Sequence, residues 1–428
     1  MYSFLPIILL FVLFFLNIPI AFALMGATVF FFGILGTGMD LDLIMQTFIR
    51  SAESFPMLAI PFFIMAGSIM NYSGISKRLM NMAEVLTGHL TGGLAHVNIL
   101  LSVLMGGISG SANADAAMQC KVLVPEMEKR GYSRGFSAAI TAASSIVSPI
   151  IPPGIVLIIY ALLSNVSVTK MFIAGYVPGV IIAGALMFTV AIIAKKRNYK
   201  PSREKRATIG EVFTQFKKSV WALILPFVII LGMRIGIFTP TEAGAIAVVI
   251  TILIGFLVYK ELKISQFPTI LKETVYGTST VMFIIIAANV FGAYLSWERI
   301  TFLLTGLLLK FNTSPWSLLL FINIILLIVG MFIDGGAAMI ILAPLLIPAA
   351  LKMGIDPLHL GIVMVVNIMI GGVTPPFGSM MFLTCSLLDL KIQEFIKEIF
   401  PFVITLLIVL FVLTYIPGIV LFLPNLLN

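Results

Sequence analysis

The sequence predicts an all-α polytopic membrane protein built as two inverted repeats of five spans each, every repeat carrying a re-entrant helical hairpin and a broken helix. Three observations lead there. Of 428 residues, 60% are hydrophobic and only 10% charged, with a mean hydropathy of +1.14. Glycines and prolines recur at one fixed offset between the two halves. Consecutive prolines interrupt an apolar stretch in each half, Pro152-Pro153 and Pro375-Pro376.

A water-soluble domain carries about 25% charged residues to solvate its outside, so this composition makes the bilayer the solvent. Apolar stretches of 18 or more residues, enough for a hydrocarbon layer of roughly 30 Å, recur along the chain, while the short alternating pattern of barrel strands is absent. The spans are therefore helices. Ala21-Phe22-Ala23 has the small residues of a signal cleavage site, but no Lys or Arg precedes it and apolar sequence runs on to Leu35, which predicts a retained segment. Cys120 and Cys385 are too few for a disulfide framework or metal cluster, and His89, His96 and His359 are scattered. The net charge of +8 comes largely from Lys195, Lys196, Arg197, Lys200, Arg203, Lys205, Arg206, Lys217 and Lys218, the pattern of a cytoplasmic loop and not of a nucleic-acid surface.

Gly and Pro punctuation divides the chain into a first repeat (1–194), a basic cytoplasmic linker (195–219) and a second repeat (220–428). The first repeat reads as spans near 4–17, 18–38 and 57–72, a hairpin at 93–128, a broken helix at 135–164 and a span at 171–194. The second reads as 220–238, 240–259 and 279–296, a hairpin at 315–352, a broken helix at 358–388 and a span at 399–424. An offset of 223 carries Gly107 onto Gly330, Pro125 onto Pro348, Gly131 onto Gly354, Pro152-Pro153 onto Pro375-Pro376 and Pro178 onto Pro401. These residues mark backbone geometry, so shared hydrophobicity does not explain the coincidence. An odd number of spans per repeat turns the second upside down, as in many secondary transporters. Lys121, Lys129, Arg130 and Arg134 then share the side of the basic linker with Lys77 and Arg78, and both termini face the periplasm.

The first hairpin turns at Gly106-Gly107-Ile108-Ser109-Gly110-Ser111-Ala112-Asn113-Ala114-Asp115, and its repeat partner spans Gly330 to Gly336 with Asp334. Such segments cannot lie against lipid, where unpaired backbone groups cost several kcal/mol, so they line a cavity. The breaks contain Ser144-Ser145-Ile146-Val147-Ser148-Pro149-Ile150-Ile151-Pro152-Pro153-Gly154 in one half and Asn367 through Gly371-Gly372-Val373-Thr374-Pro375-Pro376 in the other. Paired prolines delete amide donors and free carbonyls, which with hydroxyls suit a hard cation such as sodium; helix N-termini suit a carboxylate. Asp115 and Asp334 either cap helix arms or hold an ion or proton. Glu242 closes a capping box, Thr239-Pro240-Thr241-Glu242, and reads as structural.

Asn17-Ile18-Pro19-Ile20-Ala21-Phe22-Ala23, Ile60-Pro61-Phe62-Phe63-Ile64-Met65-Ala66-Gly67, the Gly107 to Asp115 turn, Ile150-Ile151-Pro152-Pro153 and Phe238-Thr239-Pro240-Thr241-Glu242-Ala243 together resemble the large membrane subunit of a tripartite ATP-independent periplasmic (TRAP) transporter, in family order over the full length. The resemblance implies a bacterial inner-membrane importer of organic acids with an elevator-type fold and no cofactor. Sodium would be its coupling ion, and its partners a small four-span membrane subunit and a soluble periplasmic substrate-binding protein. The small subunit is expected as a separate chain. Sodium is expected at Ser109, Ser111, Asn113, Ser145, Ser148 and Pro149, and at Asp334, Gly335, Gly336, Gly371, Gly372 and Thr374. The substrate carboxylate is expected at Ser111, Ala112, Asn113, Pro152 and Pro153, and at Gly336, Pro375 and Pro376.

Two rival readings are weaker. A sodium–carboxylate symporter working without a binding protein shares the hairpins, but its Ser-Asn-Thr turns are missing. An intramembrane aspartyl protease would need Asp115 and Asp334 adjacent, yet the repeat aligns them with Ala338 and Ser111 instead. No phosphate-cradling loop offers ATP drive. The carried acid, C4-dicarboxylate or sialic acid among others, has no separating motif.

Overall fold

A computed structural model describes residues 4–16, 18–35, 41–311 and 314–427. Asn17 and residues 36–38, where the second span was expected to end, lie outside this set. The described residues form helices and turns without strands, and eight helices are long and apolar enough to cross a membrane.

The chain begins with α1 (Leu5–Phe15), then α2 (Ile20–Val29), which follows Pro19 and continues into a π-helical turn at Phe30–Ile34. Next come α3 (Leu41–Ala52), α4 (Ala59–Tyr72) and α5 (Ile75–Thr87). Helices α6 (Gly93–Ser109) and α7 (Ala112–Lys129) occupy the segment read as the first hairpin. Helices α8 (Arg134–Ser145) and α9 (Ile155–Ser164) flank the first break, and α10 (Val168–Arg197) closes the half. The order then recurs. Helix α11 (Ile209–Arg234) starts at a capping box in which Thr208 and Glu211 exchange hydrogen bonds, and the Thr208 amide holds the Glu211 carboxyl below its usual range. Helix α12 (Pro240–Leu253) starts at the expected Thr239–Glu242 box and, like α2, runs into a π-helical turn, Ile254–Val258. Then follow α13 (Phe267–Trp297), α14 (Ile300–Phe311), the pair α15 (Pro315–Phe332) and α16 (Gly335–Lys352), the interrupted pair α17 (Pro357–Gly371) and α18 (Ser379–Leu387), α19 (Ile392–Tyr415) and α20 (Pro417–Leu426).

Packing between the halves is reciprocal. Helix α2 lies on α13 as α12 lies on α4; α7 lies on α18 as α16 lies on α9; and α8 lies on α19 as α17 lies on α10. Each partner pair is the other with the halves exchanged. The hairpins and broken helices therefore form one interlocked body, and α2, α4, α12 and α13 form a wall beside it.

Several bounds differ from the sequence reading. The expected 399–424 span divides at Ile416, whose φ of −123° and ψ of 75° leave the helix just before Pro417, as the residue preceding a proline tends to. Helix α13 begins twelve residues before the expected 279, because its early turns carry Lys272 and Glu273 among fewer apolar residues. The short helices α3, α5 and α14 lack a span-length apolar run, so hydropathy alone does not reveal them.

The basic linker is tied to one end of the molecule. Ser202 donates its amide to the Gly88 carbonyl, Arg130 donates to the Ser202 carbonyl, and Gln215 and Ser219 both donate to the Arg78 carbonyl. Arg78, Arg130 and the linker thus share that end.

Candidate functional site

The site grows from two helix-to-helix turns and the two interruptions packed on them. In the first half α6 stops at Ser109, Gly110 takes a left-handed φ of 57°, and Ser111 caps α7 by accepting the Ala114 amide at 3.4 Å. A Cβ on Gly110 would lie 2.3 Å from the Pro153 carbonyl oxygen, so the Pro152-Pro153 break presses directly on the turn. In the second half Asp334 caps α16, its Oδ1 accepting the Gly336 amide at 3.0 Å. There the close approach is backbone on backbone, since a Cβ on Gly371 would lie 2.7 Å from both the Cα and the carbonyl carbon of Gly330. The two turns face each other, with Asn113 Nδ2 3.5 Å from Asp334 Oδ2.

Buried amides fasten each interruption to its neighbouring hairpin arm. Asn98 on α6 donates to Thr141 Oγ1 at 2.8 Å and accepts from Ser144 Oγ at 2.6 Å on α8. Asn367 on α17 donates to both the carbonyl and side-chain oxygens of Asn323 on α15, at 3.0 and 2.8 Å. Ser144 and Asn367 are equivalent at the offset of 223. In an apolar medium such buried amide hydrogen bonds fix register, because leaving a partner alone is costly, although Asn367 Oδ1 itself accepts no hydrogen bond among the described residues.

A cavity of about 480 Å³ lies between the two turns and the wall formed by α4 and α13. The N-termini of α7 and α16 both open onto it, so two sets of free amides and two positive helix ends converge there. Ser109, Ser111, Ala112, Asn113, Pro149, Asp334, Gly335, Gly336 and Gly372 line it. The other sequence candidates do not. Ser145 Oγ is turned to the Thr141 carbonyl and Thr374 Oγ1 to the Ile370 carbonyl, both bonds internal to a helix end. Ser148 is fully buried, with its Oγ 2.8 Å from Asp115 Oδ2 and 3.1 Å from the Ser102 carbonyl. Pro152 and Pro153 sit behind the first turn, and Gly371, Pro375 and Pro376 stand outside the cavity lining.

Asp115 is also buried away from the cavity. Its Oδ1 accepts from Gln119 Nε2 at 2.9 Å, and that nitrogen lies 2.7 Å from Ser102 Oγ, so the carboxylate joins both hairpin arms to the first break.

The sequence reading missed the opposite wall. Helix α4 supplies Ile64, Gly67, Ser68 and Asn71, and α13 supplies Glu273, Tyr276, Gly277, Thr280 and Val281, each set spaced three and four residues apart. Glu273 Oε2 accepts from Ser68 and Oε1 from the Tyr72 hydroxyl at 2.7 Å. The signal was present as a polar stripe of helical period within a 31-residue apolar helix. Among the described residues the lining contains two carboxylates, Asp334 and Glu273, and no Lys, Arg or His.

Residues 7–419 match the family described as the tripartite ATP-independent periplasmic transporter, DctM component. The chain is 37% identical over 416 residues to the sialic acid TRAP transporter permease protein SiaT of Haemophilus influenzae, covering 97% of this chain and 67% of that longer protein. It is 36% identical over 376 residues to the C4-dicarboxylate TRAP transporter large permease protein DctM of Pseudomonas aeruginosa, covering 88% of each. In fold it is similar to the crystal structure of the Alcanivorax borkumensis YdaH transporter, with a TM-score of 0.66 at 16% identity over 88% of this chain and 89% of that one.

Proposed function

This chain belongs to the DctM component family of the tripartite ATP-independent periplasmic transporters, and we propose on that premise that it is the permease of a sodium-coupled importer of a small organic acid in the bacterial inner membrane. It is a transporter subunit and not an enzyme. A soluble periplasmic binding protein delivers the acid, and a small membrane subunit completes the permease.

One observation carries the coupling: a cavity lined by Asp334 and Glu273, without a basic side chain among its described residues. An anion placed between two carboxylates is repelled unless cations enter with it. The helix ends at Ser111 and Asp334 provide amides for the substrate carboxylate, while turn carbonyls, hydroxyls and the Asp334 carboxylate suit sodium. Sodium is cargo here, entering and leaving with the acid.

The interlocked hairpins and broken helices are the moving body and the wall of α2, α4, α12 and α13 the fixed one, which makes an elevator the natural motion: the cavity lies at their boundary. The reciprocal contacts support two repeats inverted in the membrane, with residues 195–218 on the cytoplasmic side. The acid is a carboxylate of the size handled by the named relatives, which are a sialic acid and a C4-dicarboxylate system.

Reconstitution in liposomes with candidate binding proteins, one labelled acid at a time, tests this reading. Uptake should appear only with a loaded, matching binding protein. Equal uptake of free acid without any binding protein would replace the reading with that of an independent symporter.

A further inference from the structure

Away from the transport cavity, a second cavity of about 490 Å³ opens between α5, α11 and the π-helical turn that ends α12. Its lining combines Lys77, Arg78, Lys217 and Lys218 with Asn81, Gln215 and a single acid, Glu261. Arg78 is already committed. Its Nη1 lies 2.7 Å from Glu261 Oε1 and donates to the Gly74 carbonyl at 2.9 Å, and its guanidinium sits 3.8 Å over the Tyr259 ring. This arginine neutralises the acid and shapes the floor. Lys77, Lys217 and Lys218 have no ion-pair partner among the described residues, although Lys217 stands 4.7 Å over the Phe213 ring. Three uncompensated positive charges therefore surround one cavity with amide donors at hand.

The surroundings identify the ligand class. Along one face of α11, Lys217 is followed by Trp221, Ile224 and Val228, at intervals of four, three and four residues, and the last three are 48%, 45% and 38% exposed. On the facing element Leu253, Leu257 and Val258 are 48%, 67% and 43% exposed. Trp221 and Val258 belong to the cavity lining itself, so a basic cavity with an aromatic edge adjoins exposed aliphatic side chains on α11 and α12. Tryptophan at that level marks the membrane–water interface, and basic pockets between helices beside it bind lipid head groups. A soluble anion would satisfy the lysines but has no use for the exposed aliphatic side chains beside them.

We propose that this groove is a binding site for an anionic phospholipid, its phosphodiester held by Lys77, Lys217 and Lys218 and its acyl chains lying along Ile224, Val228 and Leu257. A lipid there would bridge α5 and α11, which also touch through Gln215 and Ser219, both donating to the Arg78 carbonyl.

The test uses the purified full chain in neutral detergent, with phosphatidylglycerol, phosphatidylcholine or inorganic phosphate added at equal phosphate concentration. Phosphatidylglycerol should raise the unfolding midpoint, and the other two should not. Each lysine near an anionic head group contributes about fivefold in affinity, so the triple variant Lys77→Gln/Lys217→Gln/Lys218→Gln should bind phosphatidylglycerol about a hundredfold more weakly. All three side chains are exposed, so the fold should survive. Should the triple variant fail to fold, the wild type with spin-labelled phosphatidylglycerol serves instead: immobilised signal must be displaced by unlabelled phosphatidylglycerol and not by phosphatidylcholine. An equal shift with phosphatidylcholine, reproduction of the shift by inorganic phosphate, or unchanged binding by the triple variant would each overturn the proposal.

Discussion

Replacing Asp334 with Asn separates the two tasks this side chain can perform. As the N-cap of α16 it accepts the Gly336 amide at 3.0 Å, and Asn caps a helix about as well as Asp, so that bond persists. Loss of the anion from the helix N-terminus costs roughly 0.3–1 kcal/mol, too little to unfold the protein. The effect on a nearby cation is larger. Two opposite unit charges about 4 Å apart attract by about 4 kcal/mol at an effective dielectric constant of about 20. Asp334 is exposed to the cavity, and solvent there cuts this to roughly a third, about 1.4 kcal/mol or tenfold in affinity. Initial uptake measured against sodium concentration in proteoliposomes should show a half-saturation raised about tenfold, at normal expression and normal assembly with the small subunit. Ser111→Ala should give a milder rise, because one hydroxyl is lost while the turn's carbonyls stay. A half-saturation within twofold of wild type in Asp334→Asn would refute the reasoning and leave this aspartate as a helix cap.

Three further outcomes are expected. Glu273→Gln keeps one acceptor oxygen and turns an NH2 donor to the other hydroxyl, which can accept, but removes the wall charge, so sodium half-saturation should rise about fivefold, for roughly 1 kcal/mol of lost attraction, with little loss of thermal stability. Gly371→Ala drives a Cβ to 2.7 Å from the Gly330 backbone, which cannot move aside, and should cost about 1–3 kcal/mol in a thermal-unfolding assay, whereas Gly292→Ala meets nothing within 4 Å and should be neutral or slightly stabilising. With cysteine placed at exposed Lys205 or Asn425, an impermeant thiol reagent outside intact spheroplasts should label only the second, and preferential labelling at 205 would contradict the inverted arrangement.

The parts of the fold written in backbone chemistry were legible. Glycine and proline say what the chain can do at a point, and so the α6–α7 and α15–α16 turns, the interruptions after Ser145 and Gly371, and the capping box at Thr239 could all be located by residue type, whereas the box at Thr208 went unread. Helices α3, α5 and α14 escaped because hydropathy registers span-length apolar runs and they have none. At the site, the turn residues were readable as candidates, but which of them face the cavity was not. Ser145, Ser148 and Thr374 have the right chemistry and spend it on neighbouring backbone or on Asp115. Glu273 was missed for the opposite reason. It sits far in sequence from both turns, and only the packing of α13 against α4 and α16 brings it to the same space.

The central claim, that cations must accompany the acid into a cavity carrying Asp334 and Glu273, is tested most directly by one uptake measurement. Proteoliposomes holding the permease and its small subunit, with loaded binding protein outside, are given an inward sodium gradient or the same gradient of potassium. The account predicts accumulation of the acid above its external concentration with sodium, and none with potassium. Equal accumulation under both conditions would contradict it.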